Sequence, residues 1–518
     1  MRHGFDCSQS FEPLSVFPKA HEDSPPTDSP SSKAPSCGGT QASLRELIPT
    51  ARIVGGPDLI FDEIADRGTD CAAGQLVVYR IGEDCPNRLV ADALARGAAG
   101  ILTEQLLPCP LPQCVVGDVE LAIAEIRARQ LESPDRKLLT VGVMGSAGKT
   151  STTLLISSLL RASGIRTAYV CDLGDSDGVV QSTGDKRLAV GAPLIEHLSD
   201  SVDAGSRAAI IELNEEQARH GRYDSVQFDI LVVAGSANCS SDFGPSGLQC
   251  LLDRVTSDGV VIAPGDDTRA TRAIRENECN LLTYGSTRGS DLAVRLVQQS
   301  GGISTLLLNH QNTTAAMETT LCGESMAANH AAAAMVGLLI AVPLEDIAER
   351  LGTLREIPGR GQRLSDMERA TVVVDAGGTP ERVTASLRDC RAMKSAGRGQ
   401  LWCILSIDET MSDETLAQYG RLLEKYADQV VVTARTESQS KFLQRSHCIL
   451  DGVQKCAAFR LVANQRRGVE WAVEQASPAD TIVMITSQGG QSAKEQRHEV
   501  ERIKRWLNPP QLKVFNGS

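Results

Sequence analysis

The sequence predicts an α/β protein with three domains: a small N-terminal α/β domain, a central domain built on a doubly wound parallel sheet, and a C-terminal Rossmann-like domain. The length of 518 residues is the first observation, because a single core rarely extends beyond about 250–300 residues. The second is the repeated alternation of short apolar runs with segments of helical periodicity, which is typical of parallel sheets covered by helices. The third is a Gly-rich turn between the first strand and first helix of the middle segment.

Composition narrows the class of protein. Hydrophobic residues make up 42% of the chain, and no apolar run approaches the roughly 20 residues that span a bilayer, so we expect no membrane partner. A formal charge of -13 and only 3% aromatic residues argue against a nucleic-acid partner, which needs a basic surface. The 15 cysteines are scattered without a Cys-x-x-Cys pair, and the start shows no signal-peptide pattern. We therefore expect reduced thiols and a cytoplasmic location.

The domain limits follow from the order of these patterns. Residues 1–40 are rich in Pro, Ser and Gly and predict a disordered tail. Residues 41–137 combine strand-like "QLVVYRI" and "AAGILTE" with helix-like "NRLVADALARGA" and form the N-terminal domain. Residues 138–362 contain the strands "KLLTVGVMG", "RTAYVCDL", "AAIIEL", "DILVVAG" and "DGVVIAPG". Residues 363–518 repeat the alternation with "ATVVVDAGG", "GQLWCILSI", "DQVVVTART" and "DTIVMITSQGG", which predicts a second Rossmann-like unit.

The Gly-rich turn has the form G-x-x-G-K-T, although Val143 stands where the strict phosphate-binding loop has another glycine. Glycines let main-chain N–H groups approach phosphate oxygens, a helix N-terminus adds partial positive charge, and a lysine supplies a compact cation. The alternative is a plain strand-to-helix turn with an exposed lysine. The pattern favours a P-loop-type ATPase domain that binds ATP, through Gly145, Ser146, Gly148, Lys149, Thr150 and Ser151.

A phosphate site of this kind also needs a carboxylate to hold Mg²⁺. Glu212 ends the strand "AAIIEL", and strand ends in such sheets point into the ligand crevice. We expect Thr150, or Ser151 beside it, and Glu212 to be the magnesium ligands. A solvated strand terminus is the alternative for Glu212.

The chain resembles the Mur ligase family, and most closely its branch that adds the third amino acid to the peptidoglycan precursor. The resemblance runs from about Leu44 to residue 500 and rests on the order of several motifs. These motifs are "SLRELIPTARIVGGPD", the G-x-x-G-K-T loop, "ELNEEQARHGRYDSVQFDILVV", "IPGRGQRL" and "VVVDAGGTPERV".

The resemblance implies an ATP-dependent ligase of peptidoglycan precursor synthesis. ATP would phosphorylate the carboxylate of a UDP-N-acetylmuramoyl-peptide, and an amino acid would attack the resulting acyl phosphate. Lys149 and Glu212 would serve catalysis, Arg360 would reach the nucleotide, Asp375 would take its ribose, and Asn329 would belong to the adenine-side motif. The first asparagine of that motif is Met326 in this chain.

Several family positions depart from the pattern where the family does its chemistry. The stretch "NCSSDFG" has Cys239 and Ser240 where an Asp and a His are expected, and only Asp242 remains. No lysine occurs between Lys186 and Lys394, so the carbamylated lysine that helps the family hold a second magnesium ion cannot form. An acid, Asp242, Glu215 or Glu216, could replace it.

The substrate motifs have changed as well. The aligned residues are Gly68-Thr69, Gly191-Ala192-Pro193, Asn214-Glu215-Glu216, "ARTESQ", and a "DAGGTP" that lacks its histidine. Two interpretations stay open. The chain is either a working ligase with a rebuilt metal site, or a catalytically defective paralogue that binds nucleotide as a regulatory or scaffold module.

Overall fold

The computed structural model describes residues 41–49, 51–183, 186–237, 239, 245–287, 289–300, 302–364, 370–393, 399–407, 411–435, 439–486 and 492–507. The tail predicted for residues 1–40 lies outside this range. The α/β fold class is confirmed: three principal sheets follow one another along the chain, and helices pack against each. Among the described helices, none is both long enough and apolar enough to cross a bilayer.

The first principal sheet has five strands in the order β2-β7-β6-β5-β4. Strands β4 to β7 are parallel, and β2 runs antiparallel to β7. Its side chains form the apolar core of residues 41–137 together with α1 and α3. The strands of this part are β1 (Ala42–Ser43), β2 (Arg52–Val54), β3 (Ile60–Phe61), β4 (Ile64–Ala65), β5 (Leu76–Val78), β6 (Gly100–Thr103) and β7 (Gln113–Val115), and the helices are α1 (Leu44–Leu47), α2 (Pro86–Arg96) and α3 (Val119–Gln130).

The second sheet has eleven strands in the order β11-β10-β9-β12-β8-β13-β14-β15-β16-β17-β18. Its strands are β8 (Leu139–Met144), β9 (Thr167–Cys171), β10 (Gly174–Ser176), β11 (Gln181–Ser182), β12 (Ala208–Glu212), β13 (Phe228–Val233), β14 (Val255–Pro264), β15 (Asn280–Gly285), β16 (Leu292–Ser300), β17 (Ile303–His310) and β18 (Thr313–Thr319). Its helices are α4 (Lys149–Ala162), α5 (Gly191–Asp203), α6 (Glu215–Arg219), α7 (Gly247–Leu252), α8 (Thr268–Glu276), α9 (Glu324–Leu339) and α10 (Leu344–Leu351).

The parallel centre of this sheet matches the prediction, whereas its two edges contain antiparallel strands. Strands β8 and β12 are buried along their whole length and carry apolar cores on both faces, which explains their nearly continuous runs of apolar residues. At one edge, β17 pairs antiparallel to β16 and β18 pairs antiparallel to β17, and at the other edge β10 pairs antiparallel to β9. The sequence pattern predicted a parallel sheet here and did not predict these antiparallel pairs.

The third sheet has six strands in the order β19-β20-β24-β21-β22-β23, all parallel except β19. Its strands are β19 (Gln362–Arg363), β20 (Thr371–Ala376), β21 (Leu401–Ile407), β22 (Gln429–Ala434), β23 (Phe459–Asn464) and β24 (Thr481–Thr486). The helices are α11 (Pro380–Met393), α12 (Asp413–Tyr426), α13 (Gln439–Asp451), α14 (Gln465–Gln475) and α15 (Ala493–Leu507), and short 3₁₀ turns occur at Gly68–Asp70, Pro134–Lys137, Lys186–Ala189 and Cys456–Ala458.

Candidate functional site

The Gly-rich turn joins β8 to α4, as predicted, and its two glycines are required by sterics. Gly145 has φ 126°, and a Cβ there would lie 1.9 Å from the carbonyl oxygen of Ala234. Gly148 has φ 82°, and a Cβ there would lie 2.3 Å from Asn329 Oδ1. A side chain at Gly145 would clash with main chain, which cannot rotate away, and both glycines have left-handed conformations that other residues rarely adopt. A side chain at either position would therefore distort the loop. The loop therefore takes a shape that only glycine permits at these two positions.

The polar groups of the loop are not all turned toward a ligand. Lys149 Nζ donates a hydrogen bond to the carbonyl oxygen of Gly145 at 3.0 Å. The main-chain N–H of Ser146 donates to the carbonyl oxygen of Ser236 at 2.8 Å, and the two serine hydroxyls are also 2.8 Å apart. Ser146 therefore braces the loop against the end of β13, and Lys149 must leave Gly145 before it can reach a phosphate.

The two predicted metal ligands are in contact. Thr150 Oγ1 donates to the Glu212 carboxylate, at 3.1 Å from Oε1 and 2.9 Å from Oε2. They meet because β8, which leads into the loop, pairs in parallel with β12, so their carboxyl ends share one edge of the sheet. Burial raises the pKa of the Glu212 carboxyl, the nearby Asp172 carboxylate raises it further, and Lys149 opposes both effects. A buried carboxylate in this position would gain from a bound cation.

The opposite wall of the site comes from the residues after α10. Arg360 is only 5% exposed, and its Nη1 and Nη2 atoms each lie 3.4 Å from Gln496 Oε1. Among the described residues, its Nε has no hydrogen-bond partner. Its ion pair with Asp172 is long, at 3.9 Å. Asp375 lies in β20 and accepts a hydrogen bond from the N–H of Ala376 at 2.8 Å. The wall thus presents a buried guanidinium that is incompletely paired.

A cavity whose empty space, open solvent included, is about 630 Å³ separates the two walls. Of the residues predicted for the site, Gly148, Thr150, Ser151, Asn329, Arg360 and Asp375 line it. Gly145, Ser146 and Lys149 are not among the lining residues, and Glu212 lies behind Thr150, to which it is bonded. The Gly-rich loop therefore faces a cleft between the second and third sheets, as nucleotide binding requires. Asn329 lies on α9, directly beside the loop glycine Gly148.

Only some of the altered sequence motifs lie within the described residues. Glu215 and Glu216 form the first turn of α6, which begins at Glu215, just after β12. Cys239 is half-buried and donates a weak hydrogen bond from Sγ to the carbonyl oxygen of Ala237 at 3.5 Å. Asp242, the acid proposed as a substitute metal ligand, lies outside the described residues, as does the whole "SQGGQ" segment at residues 487–491. Among the described residues, no cluster of three or more His, Cys, Asp or Glu side chains could hold a metal ion.

Sequence reasoning missed three charged residues at this site. Asp172 follows β9 and donates its main-chain N–H to Glu212 Oε2 at 3.0 Å. Asp172 follows the end of a strand and Glu212 ends one, and a strand end was the feature that identified Glu212. The two residues meet because β9 pairs in parallel with β12. Arg382 and Asp389 line the cavity from α11. Arg382 lies within the quoted motif "VVVDAGGTPERV", but the motif gave it no role, and no motif contains Asp389. Asp389 Oδ1 accepts a hydrogen bond from the N–H of Ser325, in the first turn of α9, at 3.2 Å.

Comparison with known proteins agrees with this geometry. Residues 359–488 match the model of the "Mur ligase, glutamate ligase domain". The UDP-N-acetylmuramoyl-L-alanyl-D-glutamate–2,6-diaminopimelate ligase of Thermosynechococcus vestitus is 27% identical over 464 residues, which cover 85% of this chain and 92% of that protein. The chain is thus similar to that diaminopimelate ligase over most of its length and to Mur ligases in its C-terminal part.

Solved structures share the fold of this chain. A UDP-N-acetylmuramoyl-L-alanyl-D-glutamate–2,6-diaminopimelate ligase superposes with a TM-score of 0.60 at 19% identity, covering 90% of this chain and all of that one. The MurF ligase of Thermotoga maritima in complex with ADP superposes with a TM-score of 0.59 at 16% identity, covering 86% of this chain and 97% of that one. The fold similarity therefore extends across all three sheets.

Proposed function

We propose that this chain is an ATP-dependent ligase that joins an amino acid to a UDP-N-acetylmuramoyl-peptide in peptidoglycan precursor synthesis, with release of ADP and phosphate. The observation that carries the proposal is the contact of Thr150 with both oxygens of Glu212 beside a Gly-rich loop, across a cavity from Arg360 and Asp375. The similarity to a ligase of this kind over 85% of the chain supports it. The free thiols of the described residues support a cytoplasmic location for the reaction.

The residues present fit a nucleotide with one magnesium ion. The loop shape excludes side chains at Gly145 and Gly148, which leaves main-chain amides near the cavity, and Arg360 offers an unpaired Nε. Thr150 and Glu212 supply the hydroxyl and carboxylate oxygens that Mg²⁺ prefers. A bound Mg²⁺ would neutralise charge on the triphosphate. Asp375 would accept from the ribose, and Asn329 would lie on the base side, as the resemblance implies.

The chemistry consists of two displacements. An oxygen of the substrate carboxylate attacks the γ-phosphorus, the bond from the γ-phosphorus to its bridging oxygen breaks, and ADP leaves with that electron pair. The amine nitrogen of the amino acid then attacks the acyl carbon, the carbon–oxygen bond to phosphate breaks, phosphate leaves with the pair, and the amine loses a proton to solvent. The chain's residues position these groups and stabilise negative charge. Lys149 would exchange the Gly145 carbonyl for a phosphate oxygen.

The domain limits belong to the same proposal. We assign residues 41–137 to the UDP-substrate domain, 138–362 to the ATPase domain and 363–518 to the C-terminal Mur ligase domain. The first of the three principal sheets lies within the first range, the second within the second range, and all but the two-residue β19 of the third within the last.

The alternative, a paralogue that binds nucleotide without transferring phosphate, is supported by the altered sequence motifs alone. Thr150, Glu212, Arg360 and Asp375, which would hold the nucleotide and its metal ion, are all present, and the similarity to ligases is not confined to the nucleotide-binding region. The ligase is therefore the function that the observations favour.

Phosphate release by the purified protein distinguishes the two. For a ligase, we expect ATP turnover that rises only when a UDP-N-acetylmuramoyl-dipeptide and an amino acid are both present, with a product heavier by one residue in mass spectrometry. ATP binding in calorimetry without such turnover, across a panel of amino acids, would support the paralogue.

Bicarbonate tests the second metal site independently. The chain has no lysine between Lys186 and Lys394, so no carbamate can form there. We expect the turnover to be unchanged when bicarbonate is removed by degassing and then restored. Stimulation by bicarbonate would mean that a lysine from elsewhere in the chain enters the site.

A further inference from the structure

We propose that Asp172 is a further ligand of the magnesium ion, beside Thr150 and Glu212, and that the metal site of this chain contains two carboxylates. The proposal rests on the proposed function, since it deepens the account of the same site. The sequence gave Asp172 no role, and its position in the fold is the evidence.

Two contacts, made by two different atoms, fix the position of Asp172. Its main-chain N–H donates to Glu212 Oε2 at 3.0 Å. Its side-chain Oδ2 lies 3.9 Å from Arg360 Nη2, and Arg360 lines the nucleotide cavity together with Thr150. The residue is therefore held between Glu212 and Arg360. Its carboxylate lies at the end of the cavity where Thr150 meets Glu212.

The topology of the second sheet explains why these groups meet. Strands β9, β12 and β8 are consecutive in the sheet and parallel, and the register pairs Val170 with Ile211. Their carboxyl ends therefore reach the same edge of the sheet, which is where ligands bind in folds of this kind. Each strand brings one oxygen-bearing side chain to that edge. Strand β12 ends at Glu212, β9 is followed by Asp172, and β8 leads through the Gly-rich loop to Thr150.

The Asp172 carboxylate is accessible to a cation. Its side chain is 45% exposed, and its ion pair with Arg360 is too long for a hydrogen bond, at 3.9 Å. Lys149 lies close enough to Glu212 to lower the pKa of that carboxyl, but its Nζ donates to the carbonyl oxygen of Gly145. Neither of these two cations is thus hydrogen-bonded to the Asp172 carboxylate, and a metal ion could approach it without breaking such a bond.

Two neighbouring carboxylates favour a divalent cation. Like charges repel each other in a poorly solvated site, and the nearby Asp172 adds to the effect of burial in raising the pKa of Glu212. Mg²⁺ is commonly bound by one or two carboxylates, with waters and phosphate oxygens in its other positions. Thr150, Glu212 and Asp172 supply that number of protein oxygens. The site therefore needs no cluster of three acids, and none occurs among the described residues.

The same placement gives this chain a second acid without a carbamate. Residues 187–393 contain no lysine, so the carbamate that the family resemblance implies is absent. An aspartate carboxylate has the same charge as a carbamate and offers oxygens of the same kind to a hard cation. Asp172 is bonded directly to Glu212, so the replacement lies on the strand beside the metal glutamate.

Asp172→Asn tests the ligand, because the amide keeps the size of the side chain and the main-chain N–H to Glu212 and removes only the charge. Calorimetry measures the affinity of the full-length protein for a non-hydrolysable ATP analogue in EDTA and in saturating Mn²⁺. The ratio of the two affinities is the coupling between metal and nucleotide. We expect this ratio to fall about 10-fold in Asp172→Asn, a loss typical of removing one group from a metal site.

Asp92→Asn in α2 is the matched control. Asp92 also has an ion pair of 3.9 Å, with Arg88, and its side chain is 34% exposed. We expect the wild-type ratio in this variant, since α2 packs in the N-terminal part of the chain. A reduced ratio in the control would show that the loss in Asp172→Asn is a general effect of removing an acid, and would overturn the assignment.

A purely structural role for Asp172 predicts a different result. If its carboxylate only held Arg360 in place, Asp172→Asn would weaken binding of the analogue equally in EDTA and in Mn²⁺, and the ratio would not change. Asp172→Ala guards against an artefact of the amide. A wild-type ratio in either variant, in protein with the circular dichroism of the wild type, would overturn the proposal.

The binding readout separates this inference from the proposed function. A wild type whose coupling depends on Asp172 but which forms no product would contradict the proposed function and leave the inference standing. Where ligation is measured, we expect Asp172→Asn to raise the Mg²⁺ concentration for half-maximal turnover about 10-fold. An unchanged Mg²⁺ requirement would mean that Asp172 does not contact the ion.

Discussion

The two walls of the nucleotide cavity are built in different ways. The wall from the second sheet is a continuous loop shaped by main chain, in which Gly145 and Gly148 hold left-handed conformations and Thr150 is bonded to Glu212. The wall from the third sheet consists of separate side chains, Arg360 and Arg382, that converge on the cavity from a loop and a helix. The first wall is rigid before ligand arrives, and the second depends on how the two parts of the chain meet. We expect substitutions in the first wall to abolish nucleotide binding and those in the second to alter its pH dependence.

Gly145→Ala should have the largest effect of these tests. Its Cβ would lie 1.9 Å from the carbonyl oxygen of Ala234, which is main chain and cannot rotate away. The loop must therefore move, and we expect ATP affinity to fall more than about 100-fold, since the phosphate depends on the aligned amides of the loop. Isothermal calorimetry with Mg-ATP measures this.

The matched control is Gly164→Ala, just after α4. Gly164 also has a left-handed φ, of 80°, but a Cβ there would meet nothing within 4 Å. We expect a loss of about 1 kcal/mol in the free energy of unfolding from backbone strain, with unchanged ATP affinity. Equal affinities for ATP in the two variants would show that the loop does not form the phosphate cradle.

Glu212→Gln should have an intermediate effect that depends on the metal. The amide can still accept from Thr150, but it is a weak ligand for Mg²⁺. We expect about 10-fold weaker binding of ATP in saturating Mg²⁺. In EDTA we expect equal or tighter binding than the wild type, because a buried negative charge near the phosphates has been removed.

A surface carboxylate provides the comparison for this variant. Glu276→Gln removes an exposed acid that pairs with Arg272 within α8 and should change neither measurement. If Glu212→Gln weakened binding equally with and without Mg²⁺, the residue would be a structural support for the loop and would not be a metal ligand.

The contrast between the walls also explains what the sequence could predict. The Gly-rich loop, β8 and Glu212 follow local rules, because a glycine pattern, an apolar run and a strand end can each be recognised within a few residues. Arg382 and Asp389 follow Gly148 by more than 200 positions, and only the packing of α11 against α9 brings them to the cavity.

Other features were harder to predict for a different reason. In the antiparallel strands β17 and β18, buried side chains alternate with more exposed ones, whereas β16 keeps this alternation only at its start. Their buried apolar residues continue the core beneath α9 and α10. Strand pairing at a sheet edge depends on which neighbour is available, so local patterns did not predict this hairpin. Asp172 is an exception, since the end of β9 could have been examined in the same way as the end of β12.

The smallest effect we predict is the pH dependence that Asp389 gives to the second wall. Burial raises the pKa of its carboxyl to about 7, Asp375 on β20 adds to this, and hydrogen bonds from Ser325 and the N–H of Glu324 on α9 oppose it. Because Asp389 lines the cavity, its ionisation places a negative charge near the nucleotide. We expect the ATP affinity of the wild type to fall between pH 6 and pH 8 about 3-fold more than that of Asp389→Asn, which cannot ionise.

The stability of the protein should change with pH in the same direction. The pKa of Asp389 is higher in the folded protein than its ordinary value of 3.8, so folding is favoured by proton uptake. The stability that the protonated Asp389 carboxyl contributes is fully present below about pH 4 and is lost as the pH rises through about 7. At pH 8 the wild type carries a buried carboxylate beside the first turn of α9, and Asp389→Asn should therefore melt at a higher temperature than the wild type at pH 8 and show a smaller difference between pH 5 and pH 8. Parallel pH profiles of melting temperature for the two proteins would mean that Asp389 is solvated and ionised throughout this range, and that the contact between α11 and α9 tolerates its charge.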